Sequence, residues 1–180
     1  MKLIILDRDG VINQDSIHYI KSPDECLLLP GSCEAIARLT TAGYRVAVAT
    51  NQSGIARGYY DVAQLMAIHE KILTSVQEAG GCIDLITYCP HMPDSGCACR
   101  KPHPGMLLTI AKHFNCSLTN VPFVGDRVSD IEAAEAAGAL PIMVLSPMTD
   151  RVCLAAYPHV SIFTSLEQYV NELLVEQCIL

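Results

Sequence analysis

Two groups of residues in this 180-residue chain are placed to do chemistry. The first is acidic. Asp7 and Asp9 stand two apart in "LIILDRDG", and Asp126 and Asp130 follow in "FVGDRVSD". Converging carboxylates repel and call for a cation. Oxygen ligands of this kind suit Mg²⁺, which binds through one or two carboxylates together with substrate phosphate and water. A carboxylate can also act as a nucleophile and form an aspartyl-phosphate. A neighbouring carboxylic acid can protonate the leaving alkoxide and later activate water. One Asp after a strand is ordinarily a turn or cap residue. That reading weakens when Asp-x-Asp-Gly and Gly-Asp-x-x-x-Asp occur in one chain.

The second group is soft. Cys89-x-His91 and Cys97-x-Cys99 put three thiols and an imidazole within eleven residues. Four such ligands suit tetrahedral Zn²⁺, and a full set of protein ligands marks a structural site. The alternatives at this point are a reduced, metal-free loop or a redox pair, although Cys-x-Cys is not the usual Cys-x-x-Cys spacing. The loop "PHMPDSGCA" has almost nothing apolar to pack with, so something else must fix it. Arg100 and Lys101 follow its last cysteine directly. The other six cysteines (Cys26, Cys33, Cys82, Cys116, Cys153, Cys178) are scattered and read as small core or surface residues.

These groups are positioned by an alternating chain. Strands are predicted at 3–6, 44–50, 83–89, 121–126, 141–145 and 160–163. Helices are predicted at 32–43 with Ser32 as cap, 61–80 from an Asp cap, 104–115, 129–138 and 165–177. Short apolar strands alternating with helices imply a mostly parallel sheet covered on both faces, a Rossmann-like three-layer α/β/α sandwich. Ligands bind such sheets beyond the carboxyl ends of the strands. Four of those ends read "DRDG", "TNQSG", the Cys/His loop running into "RKP", and "GDRVSD". They point to one composite site, in which Thr50, the 51–54 backbone and Lys101 could hold phosphoryl oxygens.

Length and hydrophobic content (51%) favour a single folded domain over residues 1–180. The net charge of -7 argues against a broad nucleic-acid face but leaves room for a small phosphorylated ligand held by local cations. No apolar run approaches the roughly 20 residues of a membrane helix. The N-terminus lacks the pattern of a signal peptide. The expectation is a cytoplasmic protein, monomeric, without membrane or nucleic-acid partners.

With these residues in view, "LIILDRDGVIN", "VAVATNQSG", "CRKPHPG" and "FVGDRVSDIEAA" resemble, in order, the four motifs of the haloacid dehalogenase superfamily of phosphatases. The resemblance covers roughly residues 1–146. It implies Asp7 as nucleophile, Asp9 as general acid/base, and Thr50 and Lys101 as stabilisers of the phosphoryl group. It also implies Mg²⁺ held by Asp7, Asp9 (through its backbone carbonyl) and Asp126, with Asp130 in support. Within the superfamily, "TNQSGIARG", "CPH" and "CxCRKPHPGM" resemble the zinc-loop phosphatases acting on a heptose bisphosphate, with histidinol-phosphate phosphatases as the sister group. That implies Zn²⁺ on Cys89, His91, Cys97 and Cys99. It further implies hydrolysis of a C7 phosphate through an aspartyl-phosphate, in the supply of activated heptose for lipopolysaccharide. The alternatives are another small phosphomonoester or a non-catalytic module that binds a phospholigand. Candidate substrate contacts are Arg8, Asp15, Ser16, His18, Asn51, Gln52, Ser53, Arg57, Arg100 and Arg127. His103 reads as structural. No segment between the motifs is long enough for a cap domain. The anomer and the role of the segment after residue 146 are left open.

Overall fold

The computed structural model describes residues 1–178; within the last helix, side chains are described to residue 175. Cys178 therefore has a described backbone, while its side chain lies outside the described residues. Six parallel strands form one sheet: β1 (Lys2–Leu6), β2 (Tyr44–Asn51), β3 (Leu85–Cys89), β4 (Pro122–Gly125), β5 (Leu140–Val144) and β6 (Ser161–Phe163). Their spatial order is β3-β2-β1-β4-β5-β6. The chain starts in the middle and winds outward in both directions. β1 therefore pairs with both β2 and β4, and the reversal of direction leaves a crevice at its carboxyl end.

Alternation along the strands explains the two cores. Ile4, Leu6, Val46, Val48 and Val124 face one way, against α1 (Ser32–Thr41), α2 (Val62–Glu78) and α6 (Leu166–Cys178). Leu3, Ile5, Ala47, Ala49 and Phe123 face the other way, against α3 (Gly105–Phe114) and α4 (Val128–Ala137). A strand covered on both faces has no polar side to show, which is why β1 is apolar throughout its buried part. The paired alanines Ala133 and Ala134 are fully buried and let α4 lie close to the sheet.

The element boundaries agree with the sequence reading to within a few residues. One cap differs. Ser32 is the first helical residue of α1, and Gly31 at φ 75° precedes it without a side-chain cap. The serine hydroxyl instead donates to the buried carbonyl of Ile12 at 2.8 Å, because that loop carbonyl needs a partner more than the helix end does. Two short helices escaped the sequence: the 3-10 turn Pro23–Glu25 and α5 (Arg151–Leu154). Neither has an apolar period long enough to detect. Between β1 and α1 the 3-10 turn is the only helical element, so no cap domain stands there. No described helix is long and apolar enough to cross a membrane.

Candidate active site and metal centre

Every strand end that reaches the crevice contributes. Asp7 leaves β1, Thr50 and Asn51 close β2, and Asp126 follows β4. Lys101 comes from the loop between β3 and α3. Its ammonium is buried among three oxygens: Asp7 Oδ2 at 2.9 Å, Asp130 Oδ1 at 2.7 Å and Ala49 O at 2.9 Å. Two glycines permit this crowding. Gly10 has φ 84°, and a Cβ there would run into the Asp126 carboxylate. A Cβ on Gly125 would strike the Asp130 side chain. Any larger residue would push these acids apart.

Ligand oxygens of Asp7, Asp126 and Asp130 lie within 4.8 Å of one another. They are not equivalent. Asp130 Oδ2 accepts from the backbone N–H groups of Asp126 and Arg127, at 3.1 and 3.0 Å. With Oδ1 on Lys101, Asp130 is committed to holding the turn. Asp126 Oδ2 accepts from the Ser146 hydroxyl at 2.5 Å, while Oδ1 is buried without a partner. Burial pushes the Asp7 carboxyl well above the ordinary range, with Asp130 and Asp126 adding to the rise and Lys101 opposing it. Burial and the Asp130 charge push Asp126 up to about 7. Lys101 moves the other way on balance: burial favours its neutral form, but Asp130 and Asp7 hold its pKa above the usual value. Crowded hard oxygen donors and one orphaned carboxylate oxygen make a site that fits a divalent cation such as Mg²⁺.

The sign of this strain gives a test. Asp126 titrates near 3.8 when exposed and near 7 here, so the folded chain binds its proton more tightly. Without metal, stability must fall as pH rises across that window, and the full penalty stands above it. Asp126→Asn removes the penalty. In metal-free melts at several pH values, the variant's stability relative to wild type should climb from about pH 4 to about pH 7 and then level off. A difference independent of pH would mean Asp126 is not strained.

Asp9 differs from its neighbours. Its carboxylate accepts from four nitrogens: Arg8 Nε at 3.0 Å, Arg8 Nη2 at 2.8 Å, Asn13 Nδ2 at 2.8 Å and Gln52 Nε2 at 2.9 Å. Burial alone would raise its pKa, but the Arg8 charge and these hydrogen bonds bring it below the ordinary value. Asp9 is not in the group of clustered carboxylates, which leaves its side chain to the hydrogen bonds above and its backbone carbonyl for the metal contact expected of it.

Beside the acids opens a cavity of about 620 Å³. Asp15, Ser16, Asn51, Gln52, Ser53, Arg100 and Arg127, all named from the sequence, line it together with Asp7, Asp9, Thr50 and Lys101. Three sequence candidates do not. Arg8 is 1% exposed and spends its guanidinium on Asp9. His18 is exposed. Arg57 is exposed and stacks over the Tyr19 ring, 5.8 Å from its centroid. Arg127 pairs with Asp15 across the cavity mouth, joining the β4 and β1 loops. His103 is exposed and sits on the cavity wall.

Other residues became visible only in three dimensions. Asn13 is fully buried and donates to Asp9. Ser146 and Thr149 clasp Asp126: the Ser146 hydroxyl donates to its carboxylate, and the Thr149 hydroxyl donates to its backbone carbonyl at 2.7 Å. A signal for this clasp existed, since "SPMT" lies just past β5, at a fifth strand end.

The soft ligands also meet. Cys89 Sγ lies 3.5 Å from His91 Nδ1, 3.6 Å from Cys97 Sγ and 3.3 Å from Cys99 Sγ, and His91 Nδ1 is 3.3 Å from Cys99 Sγ. Ligands at ~2.3 Å from a tetrahedral ion stand about 3.8 Å apart. The four atoms are close to that spacing. Burial pushes the Cys89 thiol up to about 12, so a thiolate there needs a cation beside it. The described cysteines are all free. The loop is fastened to the site by Asn51, whose side chain donates to Lys101 O and accepts from Lys101 N, both at 3.1 Å. Arg100 donates to the carbonyl of His91 at 3.4 Å.

Comparison with known proteins agrees with this geometry. A family model described as HAD-hydrolase-like matches residues 98–168. The chain is 53% identical over 175 residues to D-glycero-beta-D-manno-heptose-1,7-bisphosphate 7-phosphatase of Pseudomonas putida, covering 97% of this chain and all of that one. It is 57% identical over 144 residues to the same-named protein of Bordetella bronchiseptica, covering 80% of each. The crystal structure of D,D-heptose 1,7-bisphosphate phosphatase from B. bronchiseptica, complexed with magnesium and phosphate, superposes with a TM-score of 0.92 at 49% identity. It covers 98% of this chain and 99% of that one.

Proposed function

Starting from the premise that this chain belongs to the HAD-like phosphatases, we propose that it is a magnesium-dependent phosphatase removing the C7 phosphate of D-glycero-β-D-manno-heptose 1,7-bisphosphate. The observation that carries the reading is the meeting of Asp7, Asp9, Thr50 and Lys101 at one end of the central strands, open to one cavity. Relatives above half identity, named for this activity, supply the substrate.

The chemistry follows from the residues. Asp7 attacks phosphorus, a bond forms from its carboxylate oxygen, and the bond to the C7 oxygen breaks. Asp9 gives the departing oxygen its proton and then, as carboxylate, activates water against the phosphoryl-aspartate. The Arg8 charge and the hydrogen bonds that hold the Asp9 carboxyl below its ordinary range favour the base form needed in that second step. Thr50 offers its hydroxyl to the phosphoryl oxygens, and Lys101, whose three hydrogens meet Asp7, Asp130 and the Ala49 carbonyl, supplies a fixed positive charge beside them. Asp7, Asp126 and the Asp9 backbone carbonyl would hold Mg²⁺, which would supply the charge that offsets the negative charge shared by nucleophile and phosphate. Arg100 and Arg127 line the cavity, and in this reading they hold the rest of the doubly phosphorylated substrate.

Phosphate release with Mg²⁺ tests the substrate. The β-anomer of heptose 1,7-bisphosphate should exceed the α-anomer and histidinol phosphate in kcat/KM, the latter by about a hundredfold or more, or ~2.7 kcal/mol. A preference for histidinol phosphate would keep the mechanism and overturn the substrate.

The Cys/His cluster holds Zn²⁺ in this reading, as a clamp that positions Arg100 and Lys101 and takes no part in the chemistry. Stripping zinc should lower kcat by about tenfold or more and loosen the loop, and Mg²⁺ alone should not restore activity. Full activity in protein shown to be zinc-free would sink the clamp.

A further inference from the structure

Helix α2 presents an apolar face to the sheet through Leu65, Ile68, Ile72 and Val76, with one exception. His69 stands in that face, 4% exposed, with Nε2 at 3.4 Å from Arg8 Nη1. Arginine only donates, so Nε2 is the acceptor and the ring is neutral, with its hydrogen on Nδ1. Burial and the Arg8 charge hold this histidine's pKa down to about 4, which agrees with a neutral ring. Arg8 then turns Nε and Nη2 onto Asp9. A second chain starts at Tyr60, one residue before the Asp61 cap of α2. Its hydroxyl donates to Gln52 Oε1 at 2.5 Å, and Gln52 Nε2 donates to Asp9 Oδ2 and Thr50 Oγ1, each at 2.9 Å. The close approach of Tyr60 needs Gly54, since a Cβ there would strike the ring.

Both chains begin on or beside α2 and end on one carboxylate. Burying a guanidinium and an imidazole is costly, and an apolar pair would fill the same space without that cost. An apolar pair would leave Asp9 with only the Asn13 and Gln52 amides to hold it, and without the charged fork that fixes its plane. A displacement of about 1 Å at a reacting group can cost on the order of a hundredfold in rate.

We propose that His69 and Tyr60 are positioning residues of the reaction: from α2, through Arg8 and Gln52, they fix where the Asp9 carboxylate stands relative to the leaving oxygen. This rests on the reading of Asp9 as general acid/base.

The test compares two leaving groups. The alkoxide leaving from heptose bisphosphate needs a proton as it departs; the phenolate of p-nitrophenyl phosphate does not. kcat/KM reports the steps up to leaving-group departure. With Mg²⁺, His69→Leu should lower kcat/KM on the heptose bisphosphate about tenfold or more, and on p-nitrophenyl phosphate less than about threefold. The loss should sit in kcat, with KM little changed. His69→Gln, which restores an acceptor at similar reach, should recover most of it. Tyr60→Phe removes one oxygen and should show the same preference in smaller degree; it also carries the test if His69→Leu fails to fold. Equal losses on both substrates would overturn the proposal, as would a folded His69→Gln no better than His69→Leu. Asp9→Asn serves as the reference. If it shows no leaving-group preference, the assignment of Asp9 is at fault and the positioning role falls with it. If it shows the preference and the Tyr60 and His69 variants do not, the positioning role alone fails.

Discussion

Asp7→Asn is expected to leave a folded protein whose turnover has fallen by at least about 10⁴-fold. The amide keeps the shape of the side chain and cannot attack phosphorus. The fold loses little, because Lys101 still has Asp130 and the carbonyl of Ala49. It even gains something, since one of three crowded carboxylates has gone. Wild-type enzyme quenched in acid during turnover should carry phosphate on Asp7, and the variant should carry none. The variant should still bind substrate. Turnover above about a hundredth of wild type would exclude Asp7 as nucleophile. A non-catalytic module would show no phosphoryl-aspartate in either protein.

Lys101→Met is expected to fail on both counts, stability and rate. Methionine fills much of the same volume and brings no charge. Asp7 and Asp130 would then face each other, buried, with no cation between them. Removing one partner of a buried ion pair costs about 3–5 kcal/mol, which for a chain of this size lowers Tm by roughly 10 °C. The rate should fall by about 10³-fold, because a fixed positive charge on the phosphoryl oxygens is lost. Mg²⁺ should recover part of the stability, since it binds the folded state and supplies charge to the same acids. It should not recover the rate. Melting curves with and without Mg²⁺, beside kcat, decide this. A variant as stable as wild type in metal-free buffer would show that Lys101 does not compensate those acids.

How much of this was legible in the sequence depended on how local the signal was. Strand ends are local: an apolar run that stops at Asp7, at Thr50 or at Asp126 announces both the element and its chemical tip. The soft cluster was legible because its four ligands lie close in the chain. Cross-chain partners were not legible. Arg8 is adjacent to two acids and looks like a substrate contact, yet its side chain is buried, where it meets Asp9 and His69. His69 sits in a helical apolar period, where a buried histidine reads as packing. Asn13, in a loop with no periodicity, gave no hint that its amide would reach Asp9. Ser146 lies beyond the last of the four motifs, although the rule about strand ends applies to it equally.

The loop between His91 and Cys97 is pinned at both ends. Cys89 belongs to a strand, Lys101 is stitched to Asn51, and the intervening Pro93 and Gly96 border the cavity. Such an arrangement separates two design problems. Catalytic alignment is decided by the anchors, while the tip is free to vary in length at little entropic cost, about 0.6 kcal/mol per doubling. A lineage, or an engineer, can therefore lengthen or recode the tip to greet a different sugar without retuning the machinery that breaks the phosphate bond. If the Cys/His cluster is the clamp proposed above, it is what makes that surface graftable.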